Sequence, residues 1–305
     1  MRHRNLLLFA TLATVWGAAF VAIKAGLGTP DAPAGFFETP VLFAALRFDI
    51  AGVIMLAYAA VATERLVPDG RREWASVLST AVLIITLYHA LLFVGETDPA
   101  VSSAAAAIVV SLSPVLTAGF SRVLLPSERL TPLGIAGLLL GFVGVAVLAV
   151  EDPQRLTVAP GLVAVFFAVL AFAAGSVINR RLDAALPDAS LEAWAMVIGA
   201  ALLHAGSLAV GESPADVTVT PRSVGALLFL SLAASAFGFL IYFDLLARLG
   251  PVEINLVSYA APVVTAVVGF LFLGEIIDAR TVVGFAVILA GFLLVKRRAV
   301  AAAFE

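Results

Sequence analysis

The stretch Ser111-Leu112-Ser113-Pro114-Val115-Leu116-Thr117-Ala118, followed by Leu125-Pro126-Ser127-Glu128, returns later as Tyr259-Ala260-Ala261-Pro262-Val263-Val264-Thr265-Ala266, followed by Leu273-Gly274-Glu275. One residue slips between Leu125 and Glu128, and the register then continues. Thr131 falls opposite Asp278, Gly137 opposite Gly284 and Gly144 opposite Gly291. Both copies lie inside long apolar runs, so the repeat reads as membrane-embedded. A duplicated set of hydrophobic helices, each half with a proline in mid-helix, is a sequence signature of secondary transporters.

Composition agrees. The chain has 305 residues, of which 62% are hydrophobic and 13% charged. Soluble domains carry roughly 25% charged residues. A helix needs about 20 apolar residues to cross the hydrocarbon core, and ten such helices with short loops fill this length. The lipid bilayer is therefore a partner and no sizeable soluble domain is expected. A net charge of −3 argues against nucleic acid. Cysteine is absent, which removes disulfides, thiolate nucleophiles and Cys metal sites. Met1-Arg2-His3-Arg4-Asn5 leads straight into an apolar run too long for a signal-peptide core, so residues 5–25 read as a retained first helix.

The expected helices are 5–25, 40–62, 74–94, 99–125, 132–150, 160–180, 191–211, 223–247, 251–273 and 280–296. Thr39-Pro40, Asp98-Pro99 and Thr131-Pro132 each set a capping oxygen before a proline at the first helical position, and Asp278 reads as the cap of the last helix. With the N-terminus in the cytoplasm, ten crossings bring the C-terminus back there. Thirteen Lys and Arg then lie inside against five outside (Lys24, Arg47, Arg155, Arg222 and Arg280), as the positive-inside rule requires. Five helices per half is an odd number, so the halves, 1–150 and 160–298, are inverted relative to one another. The fold class expected is an all-α membrane protein: ten transmembrane helices in two inverted five-helix repeats.

The chain resembles the EamA-type transporters of the drug/metabolite transporter superfamily. The resemblance is carried by Trp16-Gly17-Ala18-Ala19-Phe20 with Lys24, Pro40 with Leu46-Arg47-Phe48, and Pro114 with Glu128-Arg129-Leu130-Thr131, Gly137 and Gly144. In the second half it runs through Tyr242, Leu249-Gly250-Pro251, Tyr259, Pro262, Leu273-Gly274-Glu275, Gly284 and Gly291. It implies both termini in the cytoplasm of a multi-pass cell-membrane protein, and a central cavity lined mainly by helices one, three, four, six, eight and nine. It also implies export of small organic solutes, amino acids or related metabolites. Two departures stand out. Phe172 to Ser176 occupy a stretch where a tryptophan is common, and Pro126 and Ser127 lengthen the first copy by one residue.

Candidate site residues follow from the cost of polarity in a membrane. Pro114 and Pro262 each remove a backbone hydrogen bond and bend their helices, freeing carbonyls that need protein or cavity partners. Lys24, Arg47, Asp49 and His89 are ionisable groups in the outer half of the first repeat, where such groups face the interior and find partners. They read either as a polar mouth for anionic or zwitterionic solutes, or as a snorkelling lysine and an arginine tying helix ends together. Asp49 lies two positions after Arg47, about 200° around the helix, and so needs a different neighbour. Trp16, Tyr88 and Tyr259 are aromatic candidates for the cavity wall. Asp49 and His89 are the proton-handling candidates should a coupling proton or ion drive transport.

Other polar residues read as structural. Asp244 pairs with Arg248 four residues on, and His204 and Asn255 are its polar companions, His204 on a peripheral helix. Glu128 and Glu275 each precede the cap of the next helix by three and favour its N-terminus. Glu96, Asp98, Glu151, Asp152, Glu212 and Asp216 are taken as acidic loops. Gly134, Gly137, Gly141 and Gly144 form a smooth stripe that packs within the bundle or against a second copy, so oligomeric state is left open. The serines and alanines from Ser102 to Ser113 give helix four a slim side, facing the cavity or helix nine.

No GxxxxGK[ST], HExxH or GxSxG is present, and His3, His89 and His204 lie far apart. An enzyme, a bound metal and a cofactor are therefore not expected. The alternative function is a flippase for lipids or lipid-linked sugars, within the same superfamily.

Overall fold

The computed structural model describes residues 2–29, 32–125, 131–152, 157–249, 254 and 257–303. Pro126 to Leu130, Arg155, Gly250, Pro251 and Asn255 lie outside the described residues, and the readings of Glu128 and Asn255 with them.

Eight helices are long and apolar enough to cross a membrane. They are α1 (Arg2–Leu27), α2 (Pro40–Ala62), α3 (Gly70–Thr97), α4 (Ser103–Leu124), α5 (Pro132–Ala149), α6 (Pro160–Leu182), α7 (Asp188–Ala209) and α8 (Pro221–Leu245). Two further helices follow, α9 (Val257–Leu273) and α10 (Ala279–Ala303), with shorter apolar stretches of Val257–Leu273 and Ala279–Val295. Between helices sit two minimal antiparallel ribbons, Gly28–Thr29 with Ala32–Pro33 and Val150–Asp152 with Thr157–Val158. The exterior is apolar: Val53, Phe167, Phe270 and Phe272 are all more than half exposed. That surface suits hydrocarbon and not water.

Pairing of the helices follows the internal repeat. The second helix of each half packs on its counterpart (α2 with α7), as does the fifth (α5 with α10), while α1 packs on α9 and α6 on α4. The glycine stripe explains the α5–α10 contact. A Cβ on Gly137 would sit 2.5 Å from the Gly291 carbonyl oxygen, and one on Gly291 would sit 2.6 Å from that of Gly137. Gly144 meets Gly284 in the same way, at 3.0 and 3.2 Å. Each glycine thus touches the repeat-equivalent of the other, the self-complementary pattern of a two-fold interface. The stripe lies inside the bundle. Gly137→Val is expected to lower stability by about 1–3 kcal/mol through overpacking, read as a loss of thermal midpoint in detergent.

Capping corrects several expectations. Thr131 and Asp278 do cap their helices, accepting from the amides of Gly134 (3.1 Å) and Thr281 (2.8 Å). Asp98-Pro99 does not start α4. The helix begins at Ser103 behind Ser102, whose hydroxyl accepts from the Ala105 amide, and Asp98 reaches back to accept from the Gly161 amide of α6 at 2.8 Å. Thr39 stands at the cap of α2 without a side-chain bond. The job is done by Glu212, taken as a loop acid, which accepts from the amides of Val41 (2.9 Å) and Leu42 (2.7 Å). Glu275 serves α4, not the helix that follows it: it accepts from the Ser103 amide and hydroxyl, each at 3.0 Å. A carboxylate finds the nearest open helix N-terminus in space, which need not be the nearest in sequence.

The Thr281 hydroxyl, its amide and Arg280 hold the Asp278 carboxyl below the usual carboxylate range. A depressed value means stability present above the ordinary carboxylate pKa and lost as pH falls through the folded value. Asp278→Ala is therefore expected to cost about 1 kcal/mol at neutral pH and nothing in strong acid, as a pH series of unfolding midpoints would show.

The two prolines differ. At Ser111-Leu112 the chain leaves the helix, and a second segment, Ser113–Leu124, begins with Pro114 in its first turn. Pro262 lies inside a continuous helix. The equivalent sequence is therefore a break in α4 and an inserted proline in α9. Unforeseen from sequence, the third helix of each half opens into π-helical turns, at Thr80–Leu87 in α3 and Phe229–Phe237 in α8.

Candidate functional site: a central cavity

The π turns position the site. Widened turns shift the backbone ladder to i→i+5 bonding, and such segments are often found at functional sites. In α8 the Ala234 carbonyl accepts a hydrogen bond from Trp16 Nε1 of α1 at 3.0 Å. Its neighbour Ser235 accepts one from Arg47 Nε of α2 at 2.9 Å. In α3 the carbonyls of Ile84 and Ile85 lie 3.1 and 3.0 Å from His89 Nδ1. Carbonyls only accept, so Nδ1 carries the proton, and in the neutral ring Nε2 keeps its lone pair.

Around these residues lies a cavity of about 160 Å³. Trp16, Phe20 and Ile23 of α1, Arg47 of α2, and Tyr88, His89 and Leu92 of α3 form one side. Ala107, Val110 and Ser113 of α4, Phe172 of α6, Phe239 of α8 and Ser258 and Ala261 of α9 form the other. Most of the wall is apolar, with a few polar groups converging, as in small-molecule sites. The volume resembles that of the roughly 150 Å³ apolar cavity that holds one benzene, which is room for a small molecule only. The helices involved are those the family resemblance implied, with α2 added through Arg47.

Arg47 is buried and stands out chemically. Its guanidinium lies 5.1 Å from the centroid of Phe48, which in turn packs edge-on to His89 at 4.5 Å. Tyr88 meets His89 at 4.7 Å and Phe172 at 5.4 Å. Among the described residues, Arg47 has no carboxylate partner, and its one hydrogen bond goes through Nε to Ser235. The terminal nitrogens of the fork make no hydrogen bond among the described residues.

The remaining candidates fall elsewhere. Asp49 leaves the site for the outer face of the bundle, where Oδ2 lies 2.8 Å from His204 Nε2 and both side chains are partly exposed. Tyr259 packs on Phe292 at 4.2 Å, away from the cavity wall. Pro114 and Pro262 stand beside the wall residues Ser113 and Ala261 without lining the cavity themselves. Asp244 pairs with Arg248 at 2.8 Å. Helix four turns its small residues to both α9 and the cavity.

Lys24 neither snorkels nor forms an open mouth. It is buried, and Nζ donates to the carbonyls of Glu96 (2.8 Å), Asp98 (3.0 Å) and Val101 (2.8 Å). Those three carbonyls end α3 and lead into α4, so Lys24 is a cationic cap on another helix's C-terminus. It lines a second hollow of about 440 Å³ at this end of the bundle, shared with Val101, Ser102, Arg222 and Glu275. Glu96, read as a loop acid, is completely buried in the last turn of α3.

Comparison with known proteins gives the frame. Residues 3–150 and 159–297 match the EamA-like transporter family. An uncharacterized transporter of Archaeoglobus fulgidus is 26% identical over 298 residues, covering 97% of this chain and 99% of that protein. The uncharacterized inner membrane transporter YedA of Escherichia coli (strain K12) is 28% identical over 304 residues, covering 95% and 92%. The WAT1-related chloroplastic protein At3g02690 of Arabidopsis thaliana is 26% identical over 290 residues, covering 92% of this chain and 66% of that one. A solved crystal structure matches the fold with a TM-score of 0.63 at 23% identity, covering 99% of each chain. Family and relatives alike point to transport rather than catalysis, and the chain belongs to the EamA-like transporter family.

Proposed function

We propose that the protein is a secondary-active transporter that exports small organic solutes bearing a carboxylate, such as amino acids or related metabolites. Ten crossings, with both termini in the cytoplasm of the cell membrane, place its two inverted repeats around the cavity. Access alternates as one repeat rocks against the other. The observation that carries this reading is Arg47: a buried guanidinium without a carboxylate partner among the described residues, lining a mostly apolar cavity. A planar donor fork matches a carboxylate in two-point fashion, and the aromatic and aliphatic wall fits a small side chain. Among the described residues that line the cavity, Arg47 is the one Lys or Arg, which suits a single carboxylate better than a phosphate-rich lipid head.

The test is efflux from liposomes holding a panel of amino acids, hydroxy acids and matched amines or alcohols. Solutes with a carboxylate should leave faster than from empty liposomes, and their uncharged or cationic analogues should not. Movement of lipid-headgroup probes in place of solutes would transfer the reading to the flippase.

A further inference from the structure

Glu96 is a buried acid whose carboxylate has no hydrogen-bond partner among the described residues. Its side chain is fully enclosed, and neither carboxylate oxygen has a hydrogen bond. An ionised carboxylate in that condition is strongly disfavoured, and such groups neutralise by taking up a proton. His89, Leu92 and Glu96 follow one another at helical spacing, so they share a face of α3. The first two line the cavity, and Glu96 stands one turn beyond them, at the level where Lys24 closes α1 onto the carbonyls of Glu96, Asp98 and Val101.

The linings of the cavity and of the end hollow have no residue in common. Lys24, Val101 and Glu275 line the end hollow, where Lys24 holds the three carbonyls together and Glu275 holds the Ser103 amide. The charged and titratable groups that act on Glu96 or feel its charge are Lys24 from α1, Glu275 beyond α9, and Tyr88 from its own helix. At this end α4 and α6 contribute no titratable side chain among the described residues.

We infer that Glu96 is the proton-exchange site of the carrier: it holds a proton while Lys24 closes this end, and releases it to water when α1 leaves. This deepens the transport reading and rests on it. The step is a simple ionisation. The carboxylic O–H loses its proton to solvent, and the carboxylate takes one back before the end closes. Alkaline conditions therefore favour the open end and acid the closed one.

The chain lacks cysteine, so a single Val101→Cys, which borders the end hollow but is fully buried, reports opening without background. The purified full-length protein in nanodiscs is labelled with a hydrophilic maleimide at acid and alkaline pH. Rates are normalised to an exposed Val219→Cys reference to remove the thiol's own pH dependence. Normalised labelling should rise about tenfold from acid to alkaline buffer, stay low throughout in Glu96→Gln, and respond to pH again in Glu96→Asp. A flat wild type, or the same rise in Glu96→Gln, overturns the inference. The assay needs no solute. A solute panel that never moves would remove the transport reading and leave this result standing. Efflux that ignores a pH gradient and is unchanged in Glu96→Gln would remove the proton site and leave transport standing.

Discussion

Arg47→Ala is expected to raise the KM for the transported solute by about 10- to 100-fold, the worth of one charge-assisted hydrogen-bonded contact at roughly 1.5–3 kcal/mol. Three contributions are lost together: the donor fork, the bond that fixes it to Ser235, and the packing over Phe48. Arg47→Lys should fall between, because an ammonium keeps the charge and loses the planar two-point geometry. Ser235→Ala should give a smaller rise, since it releases the fork without removing it. Concentration series in liposomes measure all three, with thermal midpoints confirming intact folding. An unchanged KM in Arg47→Ala would mean that the guanidinium only ties α2 to α8.

Lys24→Met should give the largest loss of stability, about 3–5 kcal/mol, the range for removing one partner of a buried charged contact. Methionine fills much of the space, so the loss reflects the three carbonyls left without a donor. Thermal unfolding in detergent reads it directly. The same change should open the end of the bundle, so that Val101→Cys becomes labelled at every pH. A midpoint within error of wild type would show that water replaces the ammonium freely, and that Lys24 does not close this end.

The sequence disclosed the scaffold well and the side-chain partners poorly, for one physical reason. Repeat, helix centres and the caps at Thr131 and Asp278 are local signals: a proline, a capping oxygen, a run of apolar residues. Which face a membrane helix turns inward is not local. Lipid and protein interior are both apolar, so the wall of α2 carries little amphipathic signal. Only the rare polar residues report direction, and they do so ambiguously. Arg47 and Asp49, about 200° apart, have different neighbours as expected, but Asp49, a candidate for the site, turns to the outside and away from the cavity. That Asp49 would meet His204, 155 positions away, had no sequence signal.

Lys24 and Glu96 were misread for the same reason. Lys24 near a helix end looks like a headgroup anchor, and Glu96 beside a loop looks solvated. Their burial is set by a chain reversal that brings α1 against the end of α3. The π turns left no trace either, because Thr80–Leu87 and Phe229–Phe237 contain only residues that an ordinary apolar helix would accept. Equivalent placement of the two segments, in the third helix of each half, is a signal that internal comparison could have found once one was known.

The measurement that bears most directly on the whole reading is access to the cavity from the two faces of the membrane. Ser113→Cys, on the cavity wall of α4, would be placed in sealed vesicles of known orientation and treated with an impermeant maleimide from either side. The expected result is labelling from both faces, slowed in each case by a solute that the wild type exports. Labelling from one face only, whatever the pH and solute, would contradict an alternating cavity between two repeats.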